Sequence, residues 1–327
     1  MRKLLLLLLA CGSSGANVHA QSTAPGPVYP SRPIRMIIPF PAGSAADIIA
    51  RAMEPQMREK LGQSLVIDNR GGAGGNIAGD LVAKSPADGY TIMMATIGTH
   101  AINHSLYSRV PFHPVRDFSP VALVGESPNA LVTTPKLQAN SIQDLIAMAK
   151  AKPGHMNYGS SGAGTTVHLS GELFCVMTGI RLTHVPYKGA TEALTGLLGG
   201  QTDLMFASLS SSIPLIKAGR LKAYGVTGAQ RSPSIPELPT VAEAANLPGF
   251  VAAAWFGIVT PAGVAKSTVA TLNKTTLATL DTKEVKDRLF ASGVEVRTST
   301  PEEFARMIES ELVKWAKVVK ASGAKVD

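Results

Sequence analysis

The sequence predicts an α/β protein of two lobes, each a mostly parallel sheet flanked by helices, hinged by crossing strands. Three observations carry this. Short apolar, β-rich runs alternate with segments of helical spacing, the pattern of βαβ units. The alternation occurs twice, with the second set lying inside the first. Small polar residues concentrate where strands give way to helices, the place where open α/β sheets bind ligands.

The chain begins with Arg2 and Lys3 followed by an apolar run from Leu4 to Ala10. That run is far shorter than the roughly 20 residues a membrane span needs, so it reads as an export signal. Cleavage after Val18-His19-Ala20 gives a signal of residues 1–20. Leu8-Leu9-Ala10-Cys11 also resembles a lipobox, which would end the signal at residue 10 and anchor the protein through Cys11. Cys175 is the one cysteine beyond the signal, so no disulfide forms within the mature chain. The net charge is +8, of which Arg2 and Lys3 supply two, and no basic stripe or aromatic-basic interleaving appears. That pattern excludes a nucleic-acid binder.

Ile34 to Phe40 is an apolar strand. Asp47 to Leu61 has helical spacing, with Ile48, Ala52, Met57 and Leu61 facing inward. Ser64 to Arg70 is a strand, Asn76 to Ser85 a helix and Tyr90 to Thr96 a strand. Residues 97–118 and 228–249 are rich in Pro, Ser and Gly and read as surface loops or crossings. The second set begins near Ala130. Ser141 caps a helix that runs to Lys152 and ends at Pro153-Gly154. Strands follow at 157–160, 182–187, 203–207 and 221–227, and Phe250 to Pro261 is an apolar crossing. Three helices around a strand at 294–298 close the chain, with Pro301 at the first position of the last helix after Thr300.

Three loops have the composition for chemistry. A helix start has amides without internal partners at the positive end of its dipole, and carboxylates or phosphates satisfy both. The loop from Phe40 to Asp47 offers Ala42, Gly43 and the Ser44 hydroxyl, while Asp47 either caps the helix or matches its dipole. Gly71 to Asn76 lacks the spacing of a dinucleotide fingerprint or P-loop and reads as a turn capped by Asn76. Gly159 to Thr166 is the richest anion candidate, leading into a helix that carries His168. A nucleophile elbow would need Gly-x-Ser-x-Gly, and here the last glycine comes one position early. His100 and His104 form the one close histidine pair, in a segment whose Gly98 and Asn103 suggest a loop, so metal binding is not expected.

Read in order, several strings resemble the substrate-binding proteins of tripartite tricarboxylate transporters, the Bug-type family of exported bacterial receptors. They include RPIRMIIPFPAGSAADIIAR, VIDNRGGAGGNIAGD, MNYGSSGAGTTVHLSGELF, VPYKG, LLGGQTDLMF and STPEEFARMIESELVKWAKVVKASG. The resemblance covers essentially the whole mature chain. It implies a two-lobed periplasmic-binding-protein fold of type II-like form that closes on one ligand by hinge motion. Residues 30–128 with 253–327 would form the first lobe and 129–252 the second. A ligand carboxylate would be held by Phe40, Ala42, Gly43, Ser44 and Asp47 from one lobe and by Ser160, Ser161, Gly164 and Thr165 from the other. Asn76, Thr96, Gly98, His168, Tyr187, Lys188 and Asp203 would line or support the cleft.

Two positions depart from the family pattern. Ser44 stands where a second glycine is usual, and Ala207 where many relatives carry an acid. Without that acid a ligand ammonium has no partner, which points to a dicarboxylate, a citrate-like acid or an aromatic carboxylate. The resemblance implies a monomer without cofactor or catalysis that delivers its ligand to transporter subunits. Two other readings are a receptor for a sensor kinase and a periplasmic hydrolase using Ser160 or Ser161 with His168.

Overall fold

The computed structural model describes residues 29–326, so the expectations placed on the signal segment and on Cys11 lie outside the described residues. The chain opens with β1 (Ile34–Ile38), α1 (Ala45–Leu61), β2 (Leu65–Asn69), α2 (Asn76–Ala83) and β3 (Thr91–Thr96). A π-helical turn, Gly98–Ile102, leads into α3 (Asn103–Leu106), and β4 (Phe118–Ser127) follows. Then come β5 (Asn129–Thr133), α4 (Ile142–Ala151), β6 (Asn157–Ser160), α5 (Thr166–Thr178), β7 (Thr183–Pro186) and α6 (Ala190–Leu198). They continue as β8 (Leu204–Ser208), α7 (Leu209–Lys217), β9 (Lys222–Val226) and α8 (Val241–Ala245). The chain ends with β10 (Ala254–Pro261), α9 (Lys266–Leu280), α10 (Lys283–Ala291), β11 (Glu295–Val296) and α11 (Pro301–Ser322).

Two sheets result, ordered β11-β4-β10-β3-β1-β2 and β7-β6-β8-β5-β9. Both contain one scheme: second, first and third strands in parallel, then a strand arriving from the other sheet, then a fourth. The arriving strands are β10 in the first sheet and β5 in the second, and each pairs antiparallel with both neighbours. The two-sheet α/β class therefore holds, with the parallel pairings confined to β1 with β2 and β3, and β6 with β7 and β8. The antiparallel share is the consequence of chain crossing, because a strand entering from the other sheet runs against the βα units it meets.

Strand β1 shows why the sheets are covered on both faces. Met36 and Ile38 pack with Ile49, Met53, Leu272 and Leu289 from α1, α9 and α10. Ile37, pointing the opposite way, joins a separate cluster with Met93, Leu131, Phe206, Trp255 and Trp315. That cluster runs across both sheets, with α11 among its contributors. The last helix starts as the sequence indicates, with Thr300 as N-cap in a capping box with Glu303 and Pro301 at its first turn.

Three local expectations are corrected. In α1 the inward stripe runs through Ile49, Ala52, Met53 and Met57, whereas Ile48 is 41% exposed. The helix starts at Ala45 rather than Asp47, and of the four expected inward residues Ala52, Met57 and Leu61 are buried while Ile49 takes the place of Ile48. Residues 97–106 are not a surface loop: Thr99, His100, Ala101 and Ile102 are buried in the π-helical turn. The wider turn accommodates Gly98, and burial overrides the local preference of Asn103 for a loop. Asn76 does not cap α2. Gly75 is the N-cap with φ +92°, and Asn76 is the first helical residue, its Oδ1 accepting from Asn103 Nδ2 at 2.8 Å.

Candidate ligand-binding site

The first loop is shaped by Asp47, which is buried. Its carboxylate accepts from the Gly43 amide at 2.9 Å, from Asn69 Nδ2 at 3.0 Å and from Arg51 Nε at 2.9 Å. Burial alone would raise its pKa, but the bonds from Arg51, Gly43 and Asn69 outweigh this and hold it below the usual carboxylate range. Ser44 is the N-cap, its Oγ accepting from the Asp47 amide at 3.4 Å. The amides of Ala45 and Ala46 belong to the first turn, where no intrahelical carbonyl is available.

The second loop rests on a stacked pair of histidines, His168 buried and His184 half-buried. Thr165 caps α5, its hydroxyl accepting from the His168 amide at 3.3 Å and donating to Gly162 O at 2.8 Å. The Gly164 amide donates to His168 Nδ1 at 3.0 Å, so the His168 proton is assigned to Nε2, which lies 3.6 Å from Glu172 Oε1. The His168 ring stacks on His184 with centroids 3.9 Å apart. His184 Nε2 lies 2.6 Å from Ser160 Oγ, and the Tyr158 hydroxyl donates to Glu172. Burial would raise the Glu172 pKa, but hydrogen bonds from His168 and Tyr158 hold it below its ordinary value. Burial, and then the electrostatic influence of the stacked His168, push His184 down to about 4. The loop therefore stands on a ladder of buried and half-buried polar groups.

These loops, one from each sheet, meet at a cavity of about 530 Å³. Phe40, Ala45 and Ala46 line it from the first loop, and Ala163 to Thr166 from the second. Gly74, the β3 end from Thr96 to Gly98, and the run Ile102-Asn103 with Leu106-Tyr107 complete one wall. Ala254, Trp255 and Phe256 of β10 form another, joined by Val326 at the C-terminal end. Among the described residues, none that lines the cavity carries a charge. The start of α1 and the start of α5 both open into it, so its positive potential comes from backbone amides and helix dipoles.

The structure brings together Phe40, Thr96, Gly98, Gly164 and Thr165 of the residues singled out in the sequence. Ala42 and Gly43 are exposed and Ser44 half-buried, all outside the lining. Asp47, Asn76 and His168 act beneath it by holding the loops. Ser160 is fully buried and pairs with His184, and Ser161 lies outside the lining. Tyr187 donates to Gln201 Oε1 at 3.2 Å, and Lys188 is exposed. Asp203 accepts from the Asn157 amide at 2.8 Å, at the amino ends of β6 and β8, opposite the carboxyl end where the loop lies. Ala207 is fully buried in β8, so the argument against an ammonium group moves from that position to a lining without any carboxylate. A serine–histidine nucleophile pair facing the cavity is not formed, because Ser160 is sealed and His168 Nδ1 already accepts from Gly164.

Sequence reading missed the aromatic wall and Val326. The crossing segment carried a usable signal in adjacent Trp255 and Phe256, but Val326 carried none. The indole N–H of Trp255 donates to Glu311 Oε2 at 3.3 Å and that of Trp315 to the same oxygen at 2.7 Å. Lys314 pairs with Glu311 and donates to Val251 O at 2.8 Å. A buried carboxylate on α11 thus fixes the orientation of a cavity wall.

Residues 49–324 match the model of the tripartite tricarboxylate transporter family receptor. Protein BugT of Bordetella pertussis is 36% identical over 321 residues, 98% of this chain and 98% of its own. The structure of R. palustris Rpa4515 with adipate superposes with a TM-score of 0.71 at 40% identity, covering 91% of this chain and 100% of that one. MatC from Rhodopseudomonas palustris with bound malate gives 0.68 at 31% identity, covering 89% and 100%.

Proposed function

The chain belongs to the tripartite tricarboxylate transporter receptor family, and from that premise we propose that it captures a small carboxylate between two lobes and delivers it to a membrane transporter. Members of the family bind solutes, and the chain is accordingly not an enzyme. One observation carries the reading: the starts of two long helices, α1 and α5, one from each sheet, open into a single cavity to which no described residue brings a side-chain charge. An anion there satisfies amides that no protein group otherwise serves. Lobe boundaries at 30–128 with 253–327, and 129–252, follow the two crossings between the sheets. The receptor works in the periplasm, soluble or anchored through Cys11, as a monomer. Among the described residues no helix is long and apolar enough to cross a membrane.

Calorimetric titration with a panel of carboxylates tests this. At least one acid should bind, and Thr165→Ala should weaken it by about 1–3 kcal/mol, the range for removing one partner of a buried hydrogen bond. A Thr165→Ala protein with unchanged affinity, or silence across the panel, would remove the second loop or the whole reading respectively.

A further inference from the structure

We infer that the preferred ligand is a carboxylate carried on an uncharged apolar body, an arene carboxylate or an alkanoate, and that Val326 forms the wall against that body. The inference rests on the carboxylate reading and narrows it. Beyond the helix starts, the cavity is walled by Ile102, Leu106, Tyr107, Trp255, Phe256 and Val326. Two of the N–H donors near that wall are already engaged, and the Tyr107 hydroxyl beside them is uncharged. The Trp255 indole N–H is committed to Glu311, and Asn103 Nδ2 to Gly74 O at 2.9 Å and Asn76 Oδ1. A compact acid with two or three carboxylates and a hydroxyl would put further charge against these carbons with no cation among the lining residues. Buried charge without a partner is strongly disfavoured, whereas an apolar body gains from the same wall. A volume of about 530 Å³ gives a ring or short chain ample room.

Val326 is a built part of this wall. Its amide donates to Leu106 O at 3.0 Å, and it forms a parallel bridge with Tyr107. The side chain packs in the cluster that contains Leu106, Trp255 and Trp315. A residue remote in sequence from every loop of the site thereby closes its apolar end.

The test is a titration of the full mature protein with benzoate, hexanoate, malate and citrate. The inference expects benzoate or hexanoate to bind at least ten times more tightly than malate and citrate. Tightest binding of malate or citrate would overturn it while leaving carboxylate capture standing; silence from all four, and from the wider panel above, would overturn both. Val326→Asp should weaken the preferred acid at least tenfold. Val326→Thr, which keeps shape and adds a hydroxyl, should weaken it several-fold with an unchanged unfolding midpoint. Unaltered affinity in Val326→Thr and Val326→Asp proteins that unfold like the parent would show that this residue is not the wall.

Discussion

His168 shows how a residue's role depends on which of its atoms are already engaged. The family resemblance made it a candidate for the cleft, and it lies just below the lining with Nδ1 accepting from the Gly164 amide. Ser44, Asp47 and Thr165 were readable as helix-start chemistry, since hydroxyls and carboxylates at such positions serve orphan amides. The stacked partner His184 was not, because β7 reaches α5 only through the sheet. The histidines also make stability depend on pH. Burial, and then His168, hold His184 at about 4, and burial holds His100 at about 3. Both values lie below the ordinary 6.5, so between those limits the unfolded chain binds protons that the native state refuses. Stability should therefore be full above about pH 6.5 and fall as the pH drops toward 4 and then 3. Urea unfolding of the ligand-free protein at pH 7 and pH 5 should show a lower midpoint at pH 5, and His184→Gln should flatten the difference. Equal midpoints in the parent would contradict these burial effects.

At the scale of elements, α11 couples the cavity to the chain's end. Its start was legible in Thr300, Pro301 and Glu303, because capping is local. Its partner was not, because the Glu311 carboxylate meets Trp255 across 56 residues. Glu311→Leu leaves two indole N–H groups without their acceptor and the Lys314 ammonium without its counter-charge, with Val251 O as its remaining partner. The expected cost is about 3–5 kcal/mol, as for breaking a buried charge pair, measured by denaturant unfolding. Glu311→Gln retains an acceptor and should cost less; equal losses for the two variants would show that the carboxylate charge facing Lys314, not the acceptor for the indoles, sets the effect. The segment around Ile97–Leu106 teaches the converse. Its Gly and Asn suggested a loop, yet burial against α11 and the sheet made it helical.

For the molecule as a whole, the two crossings meet in one buried knot. Pro128 alone separates β4 from β5, and Asn129 exchanges bonds with Thr227: its amide donates to Thr227 Oγ1 at 2.9 Å, and the Thr227 amide donates to Asn129 O at 2.8 Å. The Thr227 hydroxyl also donates to Ala252 O at 3.2 Å. A closing motion of the kind proposed would bend the chain near this knot, and Gly164 of one loop already faces Leu106 on the other side. Gly164 has φ +76°, and a Cβ there would lie 2.8 Å from Leu106 Cδ2. Gly164→Ala should strain the loop and prop the lobes apart. Small-angle scattering should then show ligand-induced compaction in the parent and less of it in the variant, with ligand affinity reduced at least tenfold. Compaction equal to that of the parent would separate Gly164 from closure.

The sequence by itself determined the α/β class, the doubled βα alternation, the helix caps at Ser141 and Thr300 and the loops rich in free amides. Each follows from interactions within a few residues. The tertiary structure alone decided that the starts of α1 and α5 share one cavity, that its described walls carry no charge, and that Trp255 and Val326 complete it. Those facts depend on strands crossing between sheets and on a terminal helix folding back, so they join residues separated by tens to hundreds of positions. Local periodicity holds no record of such distances.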